Sequence, residues 1–563
     1  MSKPFVFYVI HHSHTDIGYT DYQEKIEAYH IRYIREALDI LNAAHSTRPE
    51  WLGFKWNCEC YWAVERFLAA SDERYRDDFY GYVRSGEIGL SASYLNLNDL
   101  IDEATLRERM AKNRAATEAQ GIRMRSALTC DINGYGWGFA DVLYDNGITR
   151  LLSDIHTHHG MYPLGRTQTP FWWESPKGSR ILAWIGEHYN LGNFWGIDAL
   201  PSPRSGAPAD AAAEEALRQS AEKISGYLEG LLAAGYPYAF APANVSGTLT
   251  DNGFPNAGIA EFCARFNAVH GDEIQLRMAT LDEFFDAVEA SGIQLPVYSG
   301  DWTDWWADGM GSTPGDVRHV REAQRRLNAL RNLDPEGKFA GKELMEQSKN
   351  DIMMYAEHTW GHSASISRPW EPMSDDLDKR KALYAYRANE SVSRALDNYT
   401  FSHGETAPSV HKDFLLTVIN PHGRQTAAPA RFAPERLYGH NDLRIVDAQT
   451  GDTVPHQISR GSRGPVITVM ASAGPGETKR FRPEDGPAGG DAAKEQPDNA
   501  GLPSCIETEF FRIGLDGQQG LAFIYDKQKD AELVSPGAQY PPFTPVYEVT
   551  PAGGPDRQCA VRG

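Results

Sequence analysis

Residues 4–10 read Pro-Phe-Val-Phe-Tyr-Val-Ile, and the next six are His-His-Ser-His-Thr-Asp. A run that is apolar at every position, without alternation, is a strand buried on both faces. Such strands lie in parallel sheets whose crossover helices cover both sides. Apolar runs recur at 125–130 (RSALTC), 149–154 (TRLLSD) and 180–185 (RILAWI), with helical patterns between them, the longest from about Tyr22 to Ala44. This alternation predicts an α/β region over 1–295. Its expected form is a seven-stranded-type β/α barrel, with an open doubly wound sheet as the alternative.

At 563 residues the chain is too long for one such unit. Val317, Val320, Ala323, Leu327 and Leu330 repeat at three and four residues, which is one face of a helix. A second helical pattern runs from Leu377 to Leu396, and a helical turn precedes EHTWGH at 357–362. These predict a helical bundle of three helices over 296–405 that completes the site. Beyond 410 the signals are β: DFLLTVINP (413–421), GPVITVMA (464–471) and TEFFRIGLDGQQGLAFIYD (508–526). The expectation for 410–563 is a β-rich, sandwich-like domain, with its completeness left open. Segments 202–213 and 482–501, rich in Pro, Gly and Ala, read as surface loops.

Composition excludes several classes. The net charge is −21, from 55 Lys+Arg and 76 Asp+Glu, whereas nucleic-acid binders need basic faces. The same balance argues against anionic membrane surfaces. No apolar stretch reaches the roughly 18 residues of a membrane span. Position 4–10 leads straight into His11 without a small-residue cleavage site, so it reads as a strand and not as a leader. The 6 cysteines, at 58, 60, 130, 263, 505 and 559, are too scattered for a disulfide framework. A cytoplasmic, reducing location is the expectation. Cys58-Glu-Cys60 lacks the spacer of a zinc pair and reads as ordinary buried thiols.

The chemistry gathers where strands end. Side chains alternate along an extended path, so His12, His14 and Asp16 share one side. Two imidazoles and a carboxylate at a strand end suit a borderline metal such as zinc. Asp131 follows the apolar run ending at Cys130 and precedes a loop rich in glycine and aromatics; capping of the next helix is its other reading. His358 and His362 in EHTWGH are further ligand candidates. The segment DWTDWWADG (301–309) carries Trp302, Trp305 and Trp306. Their faces could stack on sugar rings, or pack between barrel and bundle.

These motifs resemble glycoside hydrolase family 38, the zinc-dependent retaining α-mannosidases. The carriers are His12-Ser-His14-Thr-Asp16-Ile-Gly18-Tyr19, the Asp131 loop, FWWESPKGSRIL (171–182), TLDEFFDAV (280–288), VINP (418–421) and EFFRIGLD with GLAFIYDK (509–527). The resemblance implies zinc on His14, Asp16, Asp131 and His358, with Asp131 also the nucleophile and His12 a neighbour. It implies Asp251, in TLTDNGFPN, as the general acid and base; a turn is the alternative reading of Asp-Asn-Gly, and Asp304 and Asp308 are in reserve. Tyr19 stands where these enzymes usually carry Trp, as a sugar-stacking floor. His358 is followed by Thr359 where the family has Asp, which leaves His362 as the other candidate ligand. The implied activity is hydrolysis of terminal α-glycosidic bonds through a covalent glycosyl-enzyme. The implied substrate is an α-mannoside or related carbohydrate, and the oligomeric state is left open. Two alternatives remain at this point: a zinc hydrolase of C–N or ester bonds using His12 with His14, and a carbohydrate-binding protein without catalysis.

Overall fold

The computed structural model describes residues 4–156, 162–199, 210–247, 251–302, 308–362, 364–365, 367–404, 415–434, 437, 440, 442–462, 464–486, 504–516, 520–535, 540 and 542–543, with backbone alone at 210–212, 308 and 516. The chain divides into two compact units, 1–399 and 400–563.

In the first unit the described strands are β1 (Phe5–His12), β2 (Trp56–Cys58), β3 (Ile88–Leu90), β4 (Ser126–Cys130), β5 (Arg150–Asp154), β6 (Thr169–Glu174), β7 (Arg180–Ile185), β8 (Phe240–Ser246), β9 (Ile274–Met278) and β10 (Val297–Ser299). They form three sheets, ordered β8-β1-β9, β10-β6-β7-β5-β4 and β2-β3. Every pairing is parallel except that of β6 with β7. The all-apolar run is the middle strand of its sheet, paired on both edges, with Phe7, Val9 and Ile10 fully buried. Burial of a side chain such as Phe7 contributes about 1.5–3 kcal/mol.

The expected closed barrel is not found among the described residues, where the strands stay in three separate sheets. Two features account for this. FWWESPKGSRIL folds as an antiparallel hairpin across Ser175–Ser179, which interrupts the strand–helix repeat. The β2 and β3 strands are only 3 residues each, and they meet the neighbouring sheets through isolated hydrogen bonds, Asn57 Nδ2 to His11 O and Ala92 N to Ser126 O, and not through a ladder.

The helix expected from Tyr22 spans Gln23–Ala44. Further along, helices occupy Pro314–Leu333, Lys342–Ala356 and Pro372–Ser402. The first buries Val320, Ala323, Leu327 and Leu330, the expected face, and leaves Val317 half-buried. The Ser348 hydroxyl donates to Ala388 O across the second and third.

The second unit is antiparallel β. Strands β11 (Leu416–Ile419), β12 (Thr426–Phe432), β13 (Leu443–Asp447), β14 (His456–Gly461), β15 (Gly464–Ala473) and β16 (Thr478–Asp485) form two three-stranded sheets, β11-β16-β13 and β12-β15-β14. Leu416, Leu443, Ile445 and Phe481 from one sheet share a core with Ile467, Val469 and Ala471 from the other, as facing sheets do. A four-stranded sheet follows: β17 (Cys505–Glu507), β18 (Phe511–Asp516), β19 (Gly520–Asp526) and β20 (Ala531–Glu532). Most of 202–213 and 482–501, and the reserve residue Asp304, lie outside the described residues. No described helix is long and apolar enough to cross a membrane.

Candidate active site

Polar side chains collect beyond the C-terminal ends of the parallel strands, where open and closed parallel sheets alike place their sites. β1 delivers His12, His14 and Asp16, β4 delivers Asp131, and β2 delivers Glu59. The fourth strand involved is β8, whose last residue, Ser246, accepts a hydrogen bond on Oγ from His14 N at 2.8 Å. His358 comes from a different element, two residues past the helix Lys342–Ala356.

His14, Asp16, Asp131 and His358 converge. Their ligand-type atoms lie within 4.8 Å of one another, and all four residues are buried. His14 Nε2 lies 3.4 Å from Asp16 Oδ1 and 3.5 Å from Asp131 Oδ2. His358 Nε2 lies 3.1 Å and 3.2 Å from the same two oxygens. His14 Nε2 is shut away from solvent yet makes no hydrogen bond. Two nitrogens and two carboxylates aimed at one point, one nitrogen left without a hydrogen bond, is the donor set of a borderline dication, and these residues fit zinc.

The backbone is forced at this place. Tyr19, Asp131 and Asn252 are non-glycine residues with φ of 60°, 64° and 53°. Left-handed geometry in such residues costs about 1–3 kcal/mol each and persists where the surroundings impose it. Asn252 displays the imposition. Its N–H donates to His14 O at 2.8 Å, its Oδ1 accepts from Asp16 N at 3.2 Å, and its O accepts from the Tyr33 hydroxyl at 2.7 Å. Gly247 admits the same segment closely, since a Cβ there would meet the Gly253 backbone at 2.6 Å. The Asp-Asn-Gly triplet is thus a turn, and that turn is pinned to the strand bearing His14 and Asp16.

Electrostatics separates the three carboxyls. Burial by itself would raise Asp131, but the imidazoles of His14 and His358 facing its carboxylate, and then the charge of His156, hold it well below the usual carboxylate range. Asp16, buried likewise, is held at about 2 by His14 and His358. Asp251 stands outside the four-residue cluster, and burial together with the negative charges of Asp16 and Asp131 pushes it up to about 6. Tyr189 joins the two parts. Its ring stacks on His14 with centroids 4.1 Å apart, and its hydroxyl donates to Asp251 Oδ1 at 3.1 Å.

Several expectations are sorted by this geometry. His362 is not in the cluster: its Nδ1 accepts from Ala364 N at 3.0 Å. His12 does not share the His14 position either, since its Nδ1 lies 2.5 Å from Glu59 Oε2. Tyr19 is half-buried, in an isolated bridge with His362. Trp302 is a correction. It is 1 % exposed, packed against Tyr135, Phe171 and Trp173, and so belongs to the core and not to a substrate wall. Trp305 and Trp306 lie outside the described residues, as does the side chain of Asp308.

Sequence reasoning missed Glu59, Tyr189, His156 and Glu357. Glu59 Oε1 lies 3.2 Å from His14 Nδ1, Glu357 Oε1 lies 2.9 Å from His358 Nδ1, and His156 Nδ1 lies 3.9 Å from Asp131 Oδ1. A signal existed for each. Glu59, His156 and Tyr189 stand just past β2, β5 and β7, and Glu357 immediately precedes a candidate ligand.

The family described as glycosyl hydrolases family 38, N-terminal domain, matches residues 4–301. No curated protein sequence matches the chain. Among solved structures the chain is similar to an alpha-mannosidase from Enterococcus faecalis V583, with TM-score 0.63 and 16% identity over 94% of this chain and 61% of that one. It is also similar to a protein in glycosyl hydrolase family 38 from Enterococcus faecalis, with TM-score 0.57 and 13% identity over 94% of this chain and 60% of the other. The chain therefore spans about three-fifths of either structure's length, and at these identities the likeness is one of fold. With the match running through β1, the Asp131 loop and the turn at Asp251, the chain belongs to glycosyl hydrolase family 38.

Proposed function

We propose that this chain is a zinc-dependent retaining glycoside hydrolase of the α-mannosidase type, acting on terminal α-glycosidic bonds of oligosaccharides. One observation carries the reading: Asp131 and Asp251 sit in one site with their acidities driven apart, one far below and the other up to about 6. A retaining glycosidase needs that pair, an ionised nucleophile and a protonated acid.

His14, Asp16, Asp131 and His358 would hold the zinc. When bound, zinc supplies a Lewis acid that fixes sugar hydroxyls in the site. The protein's own groups do the rest. Asp131, kept ionised and set by a left-handed backbone with φ of 64°, attacks the anomeric carbon. Asp251 gives its proton to the departing oxygen and, once ionised, takes one from the water that releases the sugar. The Tyr189 hydroxyl, donating to Asp251 Oδ1, orients that carboxyl. The half-buried Tyr19 is a candidate stacking surface.

The competing zinc hydrolase of C–N or ester bonds requires His12 and His14 on one ion. His12 is turned to Glu59 and falls outside the four-residue set, which weighs against it. A panel of nitrophenyl α- and β-glycosides, followed by NMR of the anomeric proton, tests the proposal. Release from an α-glycoside with net retention is expected. An inverted product would remove Asp131 as nucleophile, and no turnover on any glycoside in zinc-loaded protein would remove the activity.

A further inference from the structure

The four clustered side chains come from three separate segments, around residues 14–16, 131 and 358. Two buried residues outside the cluster touch all three. Glu59 and Asn96 are 3 % and 0 % exposed. Glu59 Oε1 accepts from His14 Nδ1 at 3.2 Å, from Thr15 N at 3.1 Å and from Asn96 Nδ2 at 2.7 Å, while Oε2 takes His12 Nδ1 at 2.5 Å. The other end of Asn96 holds the remaining segments. Its Oδ1 accepts from Cys130 N at 3.0 Å, one residue before Asp131, and its main-chain O accepts from His358 N at 2.9 Å.

The chemistry of these contacts is directional. Thr15 N and Asn96 Nδ2 are donors in every protonation state, and a carboxylate is acceptor-only. An imidazole that presents Nε2 to a ligand point carries its proton on Nδ1, so His14 is a third donor to the same oxygen. An amide oxygen could keep these three donors, but its NH2 would then face His12 Nδ1, and the negative charge behind His14 would be gone.

We infer that Glu59 and Asn96 are the positioning residues of the metal centre: as one hydrogen-bonded pair they set the ring of His14 and the approach of Asp131 and His358, so that the ligands assemble together. This rests on the metal reading above. Neither residue belongs to the clustered set, and neither is assigned a chemical step.

The test uses the full chain and zinc alone, read by competition with a chromogenic chelator. Glu59→Gln, nearly isosteric, and Asn96→Ala are each expected to weaken zinc binding 10–100-fold, the range for partners that orient metal ligands. The double variant should lose less than the product of the two single losses, because the residues act as a pair. Cobalt substituted for zinc gives the readout that general destabilisation would not move: the visible bands of the Glu59→Gln protein should shift in energy or intensity. If Asn96→Ala does not fold, the cobalt spectrum and zinc affinity of Glu59→Gln decide alone. Variants that bind zinc as tightly as the parent, with an unchanged cobalt spectrum, would overturn the inference while leaving the metal centre standing. A parent protein that binds no zinc would bring down the metal reading and this inference with it.

Discussion

The two imidazoles of the cluster do the same work from opposite kinds of support. His14 hangs from the end of a buried strand, and the carboxylate behind it, Glu59, meets N–H donors from His12, His14, Thr15 and Asn96. His358 follows a helix, and the carboxylate behind it, Glu357, is matched by a buried ammonium. Lys381 Nζ donates to Glu357 Oε2 at 3.2 Å, to Glu357 O at 2.8 Å and to Met354 O at 2.9 Å. The strand end is thus organised by N–H dipoles alone, and the helix end by a buried ion pair together with hydrogen bonds from Ile17 N, Thr359 N and the Thr359 hydroxyl. A hydrogen-bonded carboxylate loses geometry when changed to an amide. A buried ion pair, deprived of one partner, leaves a bare charge in the interior.

Asp131 faces both imidazoles, so its loss erases the comparison altogether. Asp131→Ala should reduce turnover by roughly 10^4-fold or more, even with nitrophenolate leaving groups, since no glycosyl-enzyme can form. Initial rates on the activated glycoside settle this, and appreciable residual activity would exclude the nucleophile role.

Asp251 is linked to the strand side through Tyr189 and the turn at Asn252. Asp251→Ala should cost ~10^2–10^4-fold on substrates with basic leaving groups and far less on nitrophenyl glycosides. The wild-type acid must be protonated, and its folded pKa is about 6. Activity on a poor leaving group should therefore hold below pH 6 and decline as the pH rises through it. A rate that increases over that interval, or equal losses on both leaving groups, would assign the proton to another residue.

Lys381→Met probes the helix side. It strands Glu357 without its cation and should destabilise the first unit by about 3–5 kcal/mol, measured by urea unfolding. Glu59→Gln should affect zinc binding more than folding. Equal effects of the two variants on folding would erase the contrast. His362→Ala is the smallest change: it removes the other histidine of EHTWGH from outside the cluster and should leave zinc affinity untouched, and weakened binding would place His362 at the metal.

What was legible in the sequence follows the same division. The fully apolar 4–10 announced a two-sided buried strand, and the polar residues after it announced a site. β8 escaped, because Phe-Ala-Pro-Ala-Asn-Val-Ser has little β propensity. Pro242 is tolerated there since β8 is an edge strand, and Gln168 Nε2 serves the Pro242 carbonyl at 3.2 Å. β2 and β3 are too short to carry a period. Ligand residues could be named from strand ends and the family resemblance, but their supports could not. Asn96 lies in no strand or helix, and its hydrogen bonds cross to residues 59, 130 and 358. Trp302 misled because a tryptophan-rich segment looks the same in sequence whether it faces sugar or core.

The central claim is that a single zinc on His14, Asp16, Asp131 and His358 is required for glycoside cleavage. The direct measurement is metal content and activity on one sample, before and after a strong chelator and again after zinc is returned. The account predicts one zinc per chain, activity that disappears with the metal, and activity that comes back with it. Full activity in protein stripped of metal would contradict it.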